Sequence, residues 1–194
     1  MIKRYMLYAH ANNNNNNNIN LIENDYHLSA ARYGNDVFIY LETEHDENPF
    51  ELADKFVKGD FAVFPNGEKY VEMTDIFHYS FPASEEYWRR KLDNKNLVFK
   101  IARLKNDRVG EYVYYHYKLQ REATCQYDKY GIICLLGNTL IMYYEEPNEP
   151  TDLSLVTDKW EVLAPGYEGN IIGDLSINLD DGTNGWHDCV MIEH

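Results

Sequence analysis

Two stretches of the chain read alike, and that likeness constrains the fold more than any other feature. They are 26-YHLSAARYGNDVFIYLE-42 and 130-YGIICLLGNTLIMYYEE-146. Each sets a Gly-Asn pair between two runs rich in β-branched, aliphatic and aromatic residues. That is the signature of a tight β-hairpin. Tyr26, Gly34-Asn35 and Phe38-Ile39-Tyr40-Leu41-Glu42 match Tyr130, Gly137-Asn138 and Ile141-Met142-Tyr143-Tyr144-Glu145. An acidic loop and a proline follow each hairpin, Pro49 and Pro150.

The flanking segments extend the match. Residues 3–9 and 97–105 read as opening strands. Pro49 opens a helix over 50–59 that Gly59 ends, and Pro150, Thr151 and Asp152 precede a weaker helical segment that ends near Leu163. Strands over 69–80 and 186–193 close the halves. A helix over 108–121, capped by Asn106 or Asp107, follows the strand at 97–105. Each half then orders its elements β-α-β-β-α-β, the ferredoxin-like unit. In the first half, seven asparagines (Asn12–Asn18) stand where the first helix belongs. Asparagine competes with the backbone for hydrogen bonds and favours turns. The sequence therefore predicts an α+β fold of two ferredoxin-like units in tandem. A degenerate half spans 1–80, a linker with a short helix spans 81–95, and a half carrying the site spans 96–194.

Charge narrows the partners. The chain carries a formal charge of −14 with no local Lys/Arg cluster to offset it. Such a field repels phosphate backbones and anionic membranes, so nucleic acid and membrane are excluded as partners. A neutral or cationic small molecule fits better. No window approaches 18 apolar residues, and the first residues lack the apolar run of a signal peptide. Cys125, Cys134 and Cys189 form no CxxC and no even framework, which points to reduced thiols in the cytoplasm. The seven histidines lie far apart in sequence, and no Gly-rich phosphate loop, HExxH or GxSxG occurs. No metal and no cofactor is expected. Glu145-Glu146 and Asp180-Asp181 read as solvated loop carboxylates.

One segment concentrates chemistry, 110-GEYVYYHYKLQ-120. On a helix, residues four apart share a face. Tyr112 and His116 therefore point together toward the sheet, while Tyr114, Tyr115 and Lys118 face elsewhere. Two readings fit this spacing. His116 is a buried histidine bonded to a neighbouring tyrosine, or it is presented to a ligand.

The second half resembles the L-rhamnose mutarotase family. Glu111-Tyr112 with His116 four residues after the tyrosine, Tyr130 opening a strand, Glu145 ending one, and Trp160 in a helical context fall on that family's pattern. In the first half 73-MTDIFH-78 resembles its closing motif. The resemblance implies a dimeric α+β barrel, built here within one chain, present as a monomeric pseudo-dimer or pairing again as a homodimer. It implies an isomerase that interconverts the α and β anomers of L-rhamnose or a related monosaccharide without a cofactor. His116 would be the catalytic acid. Tyr112 and Tyr130 would bind sugar hydroxyls, and Trp160 would stack on the sugar, in a cleft between the helices and the sheet. The sequence departs from the pattern where Tyr117-Lys118-Leu119-Gln120-Arg121 replaces a Trp-Pro pair and where Trp160 stands alone. Those departures suit the alternative of a non-catalytic carbohydrate-binding or regulatory protein on the same fold. A cofactor-independent monooxygenase on that fold is a third reading, and it would need an enclosed apolar pocket.

Overall fold

The computed structural model describes residues 2–12, 19–44, 47–122, 127–152 and 185–193. The Asn13–Asn18 part of the asparagine tract, the helical segment expected after 152, Trp160 and Asp180-Asp181 lie outside them. The described elements are β1 (Lys3–His10), β2 (Asn20–Leu21), β3 (Leu28–Tyr33), β4 (Asp36–Thr43), α1 (Pro49–Phe56), β5 (Val57–Lys58), β6 (Val71–Glu72), β7 (Thr74–His78), α2 (Glu85–Trp88), β8 (Asn96–Arg103), α3 (Val109–Glu122), β9 (Ile132–Leu136), β10 (Thr139–Glu146), β11 (His187–Asp188) and β12 (Val190–Met191). The fold is mixed α+β and rich in strand. No described helix is long and apolar enough to cross a membrane.

Both expected hairpins form. β3 pairs with β4 and β9 with β10, all antiparallel. Gly34 and Gly137 hold φ of +59° and +62°, left-handed values that cost glycine nothing. β1 lies along the other side of β4, and β8 along the other side of β10. The result is two five-stranded sheets, ordered β12-β3-β4-β1-β6 and β11-β8-β10-β9-β7.

The closing strands depart from the simple expectation. Residues 69–80 are not one strand. β6 begins on the edge of β1, the chain bends at Met73, and β7 then pairs with β9 of the other sheet. Residues 186–193 do the converse. β11 begins on the edge of β8, the chain bends at Cys189, and β12 pairs with β3. The bends match in detail. The Met73 N–H donates to the Met6 carbonyl at 2.8 Å, and the Cys189 N–H donates to the Phe99 carbonyl at 3.0 Å. Each half thus lends an edge strand to its neighbour's sheet, and neither sheet is complete without the other half's chain.

Alternation along the strands sets the layers. Val37, Ile39 and Leu41 of β4 face α1, where Leu52, Ala53 and Phe56 complete a core cluster. Asn48 caps α1, accepting from the Phe50 N–H at 3.0 Å, with Pro49 in the first turn. The helix stops at Phe56 rather than at Gly59 because β5 pairs there with β2. On the opposite face, Phe38 and Tyr40 meet Phe99, Ile101, Ile141 and Tyr143 between the two sheets. Leu140, Ala102 and Ile133 face outward again, under α3. The order is helix, sheet, sheet, helix. The stretch expected as a linker is mostly exposed but carries a short helix and one buried anchor. Ser84 caps α2, and Trp88 enters the layer between the sheets at 1% exposure.

Because each sheet owns a strand of the other half, the halves cannot unfold one after the other. In urea, far-UV circular dichroism and tryptophan fluorescence are expected to give coincident transitions with one midpoint. Two separated transitions would overturn this.

Candidate functional site

At the middle of the inter-sheet layer, Tyr40 and Tyr143 stack with ring centroids 3.9 Å apart and planes 13° from parallel. Each occupies the matching position of its hairpin, and each is fully buried. Aromatic pairs contribute about 0.5–1.5 kcal/mol beyond the area they bury. Buried phenols need acceptors. Tyr40 Oη donates to Glu42 Oε1 at 2.6 Å, and Tyr143 Oη donates to Glu145 Oε1 at 2.8 Å. Both carboxylates lie two residues further along their strands and face the same interior side.

Two buried carboxylates side by side would each be costly. Arg90, from the segment after α2, resolves this. Its guanidinium donates to both oxygens of Glu42, at 2.7 and 2.8 Å, and to Glu145 Oε1 at 2.7 Å. Its carbon sits 4.1 Å from the Tyr130 ring centroid. Burial alone would raise both carboxyl pKa values. The Arg90 hydrogen bonds and charge at Glu42, and the His27 and Arg90 hydrogen bonds with the Arg90 charge at Glu145, outweigh it and hold both groups below the ordinary carboxylate range. Glu145 is therefore not the solvated loop carboxylate that the sequence suggested. It is the penultimate residue of β10 and is fully buried.

His27, just before β3, reaches the same point. Its Nε2 lies 3.0 Å from Tyr143 Oη and 3.2 Å from Glu145 Oε1. With Nε2 committed there as the protonated nitrogen, Nδ1 carries the lone pair. The imidazole side chain is 29% exposed. It opens on a cleft of about 700 Å³ whose lining includes Asp25, Tyr26, His27, Glu42, Glu47, Trp88 and Arg90. Tyr26 Oη donates to Glu47 Oε1 at 2.7 Å on its wall.

The sequence-predicted site residues divide between two places. Tyr112 and His116 do share a face, and their rings stack at 4.0 Å. That face packs on the sheet in the α3 layer, where His116 is 3% exposed, meets Phe77 edge-on at 5.4 Å, and has Nδ1 3.0 Å from the Tyr112 carbonyl. Burial lowers its pKa, against the carbonyl hydrogen bond. Among the described residues, the cleft expected between α3 and the sheet is filled by Phe77, Leu104, Ile133 and Leu140. Tyr130 belongs to the other face of that sheet. It is buried beneath Arg90, Lys95 and Lys129, with Oη donating to the Trp88 carbonyl at 3.1 Å. The sheet separates it from His116. Trp160 lies outside the described residues.

His27 and Arg90 escaped the sequence reading. Gly34/Gly137, Tyr40/Tyr143 and Glu42/Glu145 share one constant offset. Kept to the hairpin start, that offset pairs Tyr130 with His27, not with Tyr26. Nothing local marks Arg90, which sits in a charged run.

Beyond the cleft the polar network continues. Asp128 accepts the N–H groups of Glu145 and Glu149 at 2.9 and 3.0 Å. Lys95 and Lys129 stand near Glu149 at 3.4 and 3.0 Å. Burial raises the Asp128 pKa against those hydrogen bonds, whereas hydrogen bonds and lysine charges hold Glu149 low against its own burial. Among the described residues no three His, Cys, Asp or Glu side chains are placed to hold a metal ion. No protein-family model matches the chain, and no curated protein or solved structure is significantly similar to it.

Arg90→Gln strips the buried Glu42 carboxylate of its ion-pair partner and leaves Glu145 with Lys95 Nζ at 3.4 Å. It is expected to destabilise the fold by about 3–5 kcal/mol near neutral pH. Glu42 and Glu145 have depressed folded pKa values, so their contribution is present above the unfolded value near 4.3 and is lost as pH falls below it. The gap between wild type and variant should therefore shrink below about pH 4. Urea titrations from neutral to acid pH measure it, and a gap that widens in acid would contradict the ion-pair account.

Proposed function

We propose that the chain binds a monosaccharide in the cleft beside Arg90 and interconverts its α and β anomers. The observation that carries this reading is His27, held through Nε2 by Tyr143 and Glu145 while its ring opens on a polar cleft. A histidine with one nitrogen pinned has a defined tautomer and can exchange a proton at the other. Mutarotation needs little more. The base takes the proton of the anomeric hydroxyl as the C1–ring-oxygen bond breaks, and the ring oxygen receives a proton. The open-chain aldehyde turns about C1–C2, and the reverse steps close the other anomer. Both oxygens are bonded to C1 in the closed sugar, so one imidazole at Nδ1 can take the first proton and return it to the second. No oxidant, reductant or cofactor enters the balance.

The resemblance to the L-rhamnose mutarotase family supports the reaction class but favours His116 as the acid. The burial of His116 and the exposure of His27 favour moving that role to His27. Tyr130 and Glu145, two other positions of the resemblance, then become the supports of the cleft floor. The same reading takes the chain as a fused pair of ferredoxin-like units whose sheets form a barrel within one molecule. The constant offset between the hairpins supports it, as do the matching bends at Met73 and Cys189 and the mutual loan of β7 and β12.

A second reading, a carbohydrate-binding protein without catalysis, is favoured by one observation. Glu42, the carboxylate on the cleft floor, is occupied by Arg90 and Tyr40. It offers no free base to assist His27.

Proton-exchange NMR on L-rhamnose decides. Wild type is expected to accelerate α/β exchange, and His27→Gln to lose about 10²- to 10⁴-fold of that acceleration. His116→Phe, which keeps a ring against Phe77, is expected to retain it. Loss of exchange in His116→Phe with His27→Gln unaffected would return the acid to His116. Sugar-dependent tryptophan fluorescence without any exchange would select the binding protein.

A further inference from the structure

The two stacked phenols differ in one contact. Tyr40 Oη donates to Glu42 Oε1 and accepts from Arg4 Nε at 3.1 Å. A guanidinium can only donate, so the direction of the Tyr40 proton is fixed. Arg4 is held there by the Ser80 and Tyr130 carbonyls, which accept its other N–H groups. On the other hairpin Tyr143 Oη donates to Glu145 Oε1, and the second contact is His27 Nε2 at 3.0 Å. An imidazole, unlike a guanidinium, can present either a proton or a lone pair at that nitrogen. Which one it presents depends on where the phenol proton goes.

Glu145 settles the direction. Its side chain is fully buried, and Arg90 and Lys95 stand on it as cations at 2.7 and 3.4 Å. An ionised carboxylate only accepts. The Tyr143 ring is braced by Tyr40 at 3.9 Å and by Phe99 at 5.1 Å, so its hydroxyl keeps one place. The His27 ring meets Tyr40 edge-on at 5.9 Å. With the phenol proton on Glu145, both Tyr143 Oη and Glu145 Oε1 offer His27 lone pairs alone.

We propose that Glu145 is a positioning residue for the anomer reaction: it sets the tautomer of His27 and so decides which ring nitrogen serves as the base. The catalytic part of this rests on the proposed reaction, and the tautomer part does not. Glu145 is sealed from solvent and does not line the cleft, so it acts through His27 and not on the sugar. When Nδ1 takes the anomeric proton, the imidazole becomes a cation. Glu145 then faces a cation across Tyr143 Oη, as Glu42 faces Arg4 across Tyr40 Oη. Around Tyr40 that charge state is permanent, and around Tyr143 it exists only during turnover.

Nitrogen-15 NMR of the His27 ring, recorded well above the ordinary histidine range, reads the tautomer directly. Wild type is expected to carry the proton on Nε2. Tyr143→Phe keeps the ring stack and is expected to keep that tautomer, since Glu145 Oε1 remains as an acceptor 3.2 Å away. Glu145→Met is expected to move the proton to Nδ1, because the Tyr143 hydroxyl, freed of its acceptor, donates to Nε2 instead. In anomer exchange the same variant is expected to lose about 10²- to 10⁴-fold in kcat with KM little changed. A wild-type Nδ1–H tautomer, a Tyr143→Phe ring that swings to Nδ1–H, or a Glu145→Met ring that keeps Nε2–H would each overturn the assignment. So would a Glu145→Met defect confined to KM. The expected tautomers in a wild type that does not speed exchange would leave Glu145 in control of the ring and overturn the reaction.

Discussion

One guanidinium between two carboxylates governs this structure. Arg90 meets Glu42 from one hairpin and Glu145 from the other, directly beside the stacked pair Tyr40 and Tyr143. Without it, Glu42 would be buried with no ion-pair partner, close to a Glu145 neutralised only by Lys95. With it, the phenols have ionised acceptors and the carboxylates a counter-charge, and the segment joining the halves is pinned over their meeting point. Burying an ion pair is a poor source of net stability compared with apolar packing. Its effect here is positional. Only one register of the two hairpins presents both carboxylates to one arginine.

The same interaction makes the site asymmetric. His27 and Tyr130 occupy matching positions at the starts of their hairpins. Tyr130 is covered by Arg90, Lys95 and Lys129, all from segments outside the strands. His27 keeps an open side. Among the described residues, a cleft therefore opens beside His27, whereas the matching place beside Tyr130 is filled by Arg90, Lys95 and Lys129.

Much of the fold was legible because hairpins are local. Gly34-Asn35 and Gly137-Asn138 with their flanking runs specify β3–β4 and β9–β10 without help from distant residues, and the 3.6-residue spacing of Tyr112 and His116 placed them inward. What could not be read was set by distance. A bend at Met73 or Cys189 looks like an interior strand residue, and only the partner strand across the molecule makes it a crossing point. Glu145 next to Glu146 looks solvated until Arg90, more than fifty residues earlier, is brought to it. His116 had the spacing of a presented ligand, but spacing gives direction and not cover. The layer it points into is filled by Phe77, which arrives from the other half on β7.

The mutual loan of β7 and β12 has a consequence for the connection itself. A peptide bond broken between α2 and β8 would free neither half, since each would still be hydrogen-bonded into a sheet built mainly from the other. The covalent link is thus not what holds the halves together. Its contribution is to deliver Arg90 and Lys95 to a fixed place, once per molecule. A pair of identical unlinked halves, each bringing the same segment, would have to place two such arginines at one symmetric point. The two halves differ in sequence on the two sides of that point, and a single arginine serves both carboxylates.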